Sequence, residues 1–152
     1  MSYWLFKSEP ETFNINDLAK KPNKTEHWDG VRNYQARNFI RDDIKKGDQG
    51  FFYHSSCKVP GIAGIFEIVK SGYPDYTAWD PTSDHFDPTC SSDDPRWFMV
   101  DVRFVKKFDR IFTLDEIKNN PVLEKMAVAR RGNRLSITPV TEHEWKTILK
   151  LA

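Results

Sequence analysis

Residues 97–105 alternate with the period of a strand. Phe98, Val100, Val102 and Phe104 share one face, and Asp101 and Arg103 take the other, as in a strand with one buried side. The run sits among short helical segments, not in regular β-α-β units. No dinucleotide-binding glycine fingerprint, phosphate loop or long internal repeat accompanies it. This excludes a doubly wound parallel sheet and points to an α+β class, a small curved or closed sheet decorated by short helices.

Other elements follow from local signals. Strands are expected at 3–7, 51–54 and 62–69, the last apolar on both faces apart from Glu67. Asn14 is placed to cap a helix at 15–20, Thr113 one at 114–118, and Thr141 the last helix, with Glu144 completing a capping box. A longer helix is expected over 31–45, where Ala36, Phe39, Ile40 and Ile44 fall on one face and Arg37, Arg41 and Lys45 on another. Residues 73–95, rich in Pro, Asp, Ser and Thr, read as a long ordered loop.

A length of 152 residues suits one domain, 1–152, with a real core. The net charge of +1 conceals an asymmetry: residues 80–94 hold five Asp and no Lys or Arg, so the rest of the chain stands at +6. A moderately basic body is compatible with a nucleic-acid partner, while near balance argues against a non-specific DNA coat. Two cysteines, Cys57 and Cys90, lie outside any metal spacing and read as free thiols in a reducing compartment. With no apolar run near the length of a membrane span, the expectation is a soluble protein of the cytoplasm, or of the nucleus by diffusion.

Four segments set polar groups beside aromatics. Lys7-Ser8-Glu9 gathers a donor, a hydroxyl and a carboxylate at a strand end, a set that taken alone reads first as a solvated strand end with a surface ion pair. Trp28-Asp29-Gly30-Val31-Arg32-Asn33 offers a flat indole and a glycine at a helix entry, where free N–H groups can receive a phosphate or a base edge; a buried tryptophan plug is the competing reading. Tyr53-His54-Ser55 ends a strand. A hydrolase recruiting His54 with Ser55 or Cys57 fits poorly there, because neighbours on an extended chain point to opposite faces and no acid orients the histidine. Arg130-Arg131-Gly132-Asn133-Arg134-Leu135-Ser136 carries three guanidinium groups and no acid, a pattern suited to phosphate contact or to a solvated charge run.

Read together, the strings YWLFKSEP, GVRNYQARNFIR, FFYHSS with PGIAGI, YPD, RW before the alternating strand, and RLSITPV with EW resemble the EVE-domain family over nearly the whole chain. The resemblance implies a PUA-like fold, a curved β-barrel flanked by short helices, similar in architecture to the YTH readers of methylated adenine. It also implies a non-catalytic module that binds DNA or RNA carrying a modified base, such as a modified cytosine, as a monomer and without a cofactor or metal. Carried over by position, Lys7, Ser8 and Glu9 would stand at the mouth of a base pocket. Trp28, Val31, Arg32 and Asn33 would form one wall, Tyr53, His54 and Ser55 the other, and Leu135 and Ser136 would close it. Arg130, Arg131 and Arg134 would reach phosphates. Two other classes stay open: a small hydrolase or nuclease of the related ASCH type, built on Lys7, Ser8 and Glu9, and a module binding acidic peptides through the arginine cluster.

Overall fold

The computed structural model describes every residue from Met1 to Ala152. Six strands form one sheet: β1 (Tyr3–Ser8), β2 (Thr25–Trp28), β3 (Gln49–His54), β4 (Gly61–Pro74), β5 (Phe98–Thr113) and β6 (Ile137–Val140). Their order is β2-β5-β4-β3-β1-β6. β1 pairs with β3 in parallel and with β6 antiparallel, and the remaining pairs are antiparallel. The ladder is open between β2 and β6, so the expected PUA-like barrel is a curved open sheet.

Both faces of the sheet are buried at its centre. On β1, Trp4 and Phe6 enter one core with Phe52, Phe66, Val100, Val102 and Trp28. Leu5 enters a second with Phe51, Tyr53, Ile62, Phe112 and Trp145. The period of two thus decides which face each residue serves. A bulge in β5 reverses that phase. Phe66 pairs with Phe104 but Ile65 pairs with Lys106, leaving Val105 as the extra residue, exposed at the surface. Phe98 to Phe104 therefore pack on the first core, whereas Phe108 and Phe112, of the same sequence parity, pack on the second.

The short helices start where their caps place them. α1 (Ile15–Ala19) opens with Asn14 accepting from the Asp17 N–H. A second helix, α2 (Tyr34–Asn38), leads into a π-turn over Phe39–Asp43. α3 (Leu114–Lys118) and α4 (Glu142–Leu151) begin behind Thr113 and Thr141, each in a full capping box. The helix expected over 31–45 starts only at Tyr34, because the Asn33 side chain accepts from the Ala36 N–H and fixes the start there. Val31 and Arg32 consequently lie in irregular backbone before it.

The loop after β4 is ordered by its own acids. Asp75, Asp80 and Asp87 each accept both the N–H and the hydroxyl of the threonine two residues on, Thr77, Thr82 and Thr89. Asp87 also accepts from the Trp97 indole N–H at 2.7 Å. The Thr89 hydroxyl, the indole and the Thr89 N–H hold its carboxyl down to about 2. Two of the five aspartates of 80–94, Asp80 and Asp87, are thus taken up by turns.

Candidate functional site

A cavity of about 500 Å3 opens where the end of β1, the end of β2 and the segment 29–33 meet. Lys7, Ser8, Trp28, Val31, Arg32, Asn33, Arg134 and Ser136 line it. Sequence motifs separated by more than a hundred residues therefore do meet in one place. The antiparallel pairing of β1 with β6 brings Ser136 there, since the Lys7 N–H donates to the Ser136 carbonyl at 2.8 Å.

Seven expected residues do not line this cavity. Tyr53 is one step out of phase: Phe52 faces Trp28, while Tyr53 is buried in the opposite core, where burial pushes its phenol up to about 12. His54 is occupied structurally, its Nε2 accepting the Ile15 N–H of α1 at 3.2 Å. Burial lowers its pKa and so favours the neutral ring that this bond requires. Ser55 and Leu135 are half-buried elsewhere, and Glu9, Arg130 and Arg131 are exposed outside the cavity. With Glu9 outside and the Ser8 hydroxyl donating to the Phe13 carbonyl at 2.6 Å, the Lys-hydroxyl-Glu set of a hydrolase is not assembled.

Two of the residues expected in the wall do line the cavity and are at the same time committed to the fold. Trp28 is a core plug with only 9% of its surface exposed, packed on Phe6, Phe13, Phe52 and Phe66. The Arg32 guanidinium donates to the Asp75 carboxylate at 3.0 Å, to the His85 carbonyl at 2.6 Å and to its own Val31 neighbour, and lies over the Trp97 ring. It holds the cavity wall together and has no fork left for a ligand. Asp75, fully buried, also accepts the Gly30 N–H at 2.9 Å. Burial pushes its carboxyl up, but the bonds from Thr77, Gly30 and Arg32 outweigh that and hold it below its usual range.

Sequence reasoning missed Thr12, Phe13, Glu26, His27 and His85, and left Asp29 and Gly30 unassigned inside a motif it had marked. Gly30 has φ +78°, and a Cβ there would stand 2.5 Å from the His85 ring. His85, the only histidine in the acidic loop, closes over the glycine and sets its Nδ1 3.2 Å from Asp29 Oδ2. A histidine isolated in a run of turn-forming Asp, Ser and Thr was the available signal.

Lys7 is half-buried and forms no ion pair in the protein. Burial lowers its pKa, since desolvation disfavours the ammonium. The unfolded chain then holds the proton more tightly, so the penalty is in force at neutral pH. It is relieved only as pH rises from the lowered folded value toward the ordinary one. Lys7→Met is accordingly expected to raise Tm slightly, on the order of 1–3 °C given the residue's partial exposure, while weakening a ligand that offers the ammonium an acceptor. A thermal melt checks it; a lower Tm in the variant would show that the ammonium is a net stabiliser.

A curved six-stranded sheet with short helices, and a polar cavity where β1 and β2 end, defines an α+β domain of the PUA-like class. The chain belongs to the EVE-domain family, whose profile matches residues 2–151. It is 46% identical to thymocyte nuclear protein 1 of Mus musculus, an alignment covering 99% of this chain and 73% of that protein. The solved structure of human THYN1 in complex with 5-methylcytosine-containing DNA superposes with TM-score 0.92 at 45% identity, covering 99% of this chain and 97% of that one. The YTH domain of Zygosaccharomyces rouxii MRB1, solved with N6-methyladenosine RNA, shares the fold at TM-score 0.54 and 12% identity, over 99% of this chain and 85% of that one.

Proposed function

We propose that this chain binds nucleic acid as a monomer and without catalysis, taking one modified base of the 5-methylcytosine kind into the cavity. The observation that carries the reading is the cavity itself: about 500 Å3, bounded by Phe13 and the edge of Trp28, with Lys7, Ser136 and Asn33 presenting polar groups. Such a volume lies within the range of small-ligand sites. A base reaches a site of this kind only out of its stack or in a single strand. The DNA complex of the human relative supports the choice of nucleic acid. In this reading the exposed Arg134, which lines the cavity, and the exposed Arg130 and Arg131 a few residues earlier hold the strand by its phosphates. The reading puts the chain wherever modified nucleic acid occurs: in the nucleus, as the relatives' name says of them, or in the cytoplasm, as its two free thiols imply.

A buried methyl group contributes only about 0.8 kcal/mol, so preference for a modified base is expected to be about fourfold from burial alone and larger only if the fit is tight. The test is a binding series with strands carrying one central 5-methylcytosine or cytosine, single-stranded and duplex, at several salt concentrations. Tighter binding of the modified strand is expected. Neutralising Arg130, Arg131 and Arg134 together should weaken both strands about equally and flatten the log–log salt slope by about 0.7–0.9 for each phosphate no longer neutralised. Equal affinity for plain and modified strands in both forms would end the reading.

A further inference from the structure

The hydrogen-bonding capacity of the cavity wall can be counted atom by atom. Glu26 is fully engaged: its Oε1 accepts the His27 N–H and its Oε2 faces Lys21 Nζ at 3.0 Å. The Asn33 oxygen is taken by the Ala36 N–H, the Ser8 proton by the Phe13 carbonyl, and the Gly30 N–H by Asp75. Asp29 keeps one carboxylate oxygen free. Its Oδ2 is held by His85 Nδ1 at 3.2 Å and lies 3.9 Å from His27 Nε2, while Oδ1 has no partner. Free donors follow it in sequence: the main-chain N–H groups of Val31, Arg32 and Asn33 donate to nothing in the protein. The free Lys7 ammonium and the Ser136 hydroxyl line the same cavity.

We propose that Asp29 is the specificity-determining residue of this cavity, accepting the exocyclic amine of a cytosine-type base and rejecting thymine and uracil. The proposal rests on the base-binding reading above and on complementarity of donors and acceptors. The pairing edge of cytosine is a donor followed by two acceptors, which calls for one acceptor and several donors in the wall. Thymine and uracil present an acceptor where cytosine presents its amine, and an N–H where cytosine presents N3. The free Oδ1 of a carboxylate whose other oxygen His85 holds would face the thymine carbonyl and leave both unpaired. The 5-methyl group cannot make this distinction, because 5-methylcytosine and thymine share it. A pocket built on the methyl alone would take both, and only an acceptor aimed at the amine separates a methylated cytosine from its deamination product. A buried group left unpaired costs about 1–3 kcal/mol, a discrimination of roughly 5- to 150-fold.

The test measures the affinity of wild type and Asp29→Asn for strands that differ at one central position: 5-methylcytosine, thymine, 5-methyl-2-pyrimidinone (which lacks only the amine) and an abasic site. Wild type is expected to bind 5-methylcytosine at least about 5-fold tighter than thymine and than the amine-deleted base. Asp29→Asn should bring the 5-methylcytosine-to-thymine ratio toward one, and the abasic strand measures the general change in backbone attraction that follows from losing a negative charge, by which the other affinities are divided. The amine deletion should matter little in that variant, completing a cycle that isolates the pair. If Asp29→Asn fails to fold, the amine-deleted strand with wild type decides: equal affinity for it and for 5-methylcytosine overturns the assignment. A wild type that prefers these bases to the abasic strand but ranks thymine with 5-methylcytosine overturns Asp29 and leaves a base reader. A wild type that binds all four strands equally overturns both.

Discussion

Asp75→Ala is expected to destabilise the protein by about 3–5 kcal/mol, the range for removing one partner of a buried charge pair. Asp75 is fully buried and its carboxylate organises three segments at once. It accepts the Gly30 N–H beneath His85, one Arg32 Nη, and the N–H and hydroxyl of Thr77 at the start of the loop. The alanine variant strands the Gly30 N–H and the Arg32 charge together, while the remaining Arg32 bonds to the His85 carbonyl limit the loss. The consequence is not confined to stability. With Gly30 and His85 released, Asp29 loses the partner that orients it. Urea denaturation with limited proteolysis of the 80–94 loop checks both parts. The loop should be cleaved faster in the variant under conditions where the rest of the fold persists. Asp75→Asn should fall between the two, since it keeps an oxygen for Thr77 and loses the charge opposite Arg32. A change below about 1 kcal/mol in the alanine variant, no larger than an exposed pair, would show that the loop is held by Asp87 and Trp97 alone.

What was legible in the sequence was whatever short-range chemistry decides. Asn14, Thr113 and Thr141 announce their helices because a cap needs only its own side chain and the third residue on. β2 and β6 were not announced. Thr25-Glu26-His27-Trp28 buries only Trp28, and β6 contains Pro139, tolerable there because β6 is an edge strand. The second half of β5 was hidden by its bulge. Once Val105 is set aside as the extra residue, the charged stretch Lys106-Lys107-Phe108-Asp109-Arg110 becomes a strand whose phenylalanine faces the other core. The same period of two explains which of the expected residues line the cavity and which do not. A motif quoted as a string does not say which of two neighbours faces the cavity, and Tyr53 and His54 went to structural duties while Lys7 and Ser8, at a strand end, both reach it. The acidic loop was the hardest part. Asp80 and Asp87 look like charge and act as turn closures, and the one residue the loop lends to the cavity, His85, is recognisable only once Gly30 is seen to leave room for its ring.

Trp28→Ala is expected to cost about 3–5 kcal/mol, a fall in Tm on the order of 10–15 °C for a domain of this size. The reason lies in its neighbours. The indole stands edge-on to Phe6 and Phe52 at ring separations of 5.2 and 5.4 Å and lies parallel to Phe66 at 6.2 Å. Phe66 in turn occupies the space over Gly50, where a Cβ would stand 2.2 Å from its ring. Removing the indole leaves a void that rigid aromatic rings cannot collapse into, so the cavity contribution is near its upper range. Trp28→Phe should keep most of the packing and lose less than half as much. The same pair of variants separates the core role from the binding role. If the small exposed edge of Trp28 supports a base, Trp28→Phe should weaken plain and modified strands by a similar factor, because aromatic stacking is tolerant of base identity, while the variant remains folded at the assay temperature. If binding in Trp28→Phe is unchanged at a lowered Tm, the residue is a plug only, and Phe13, which meets it at 6.2 Å on the cavity side, is left as the aromatic surface a base would touch. An unaltered melt in Trp28→Ala would contradict the packing itself.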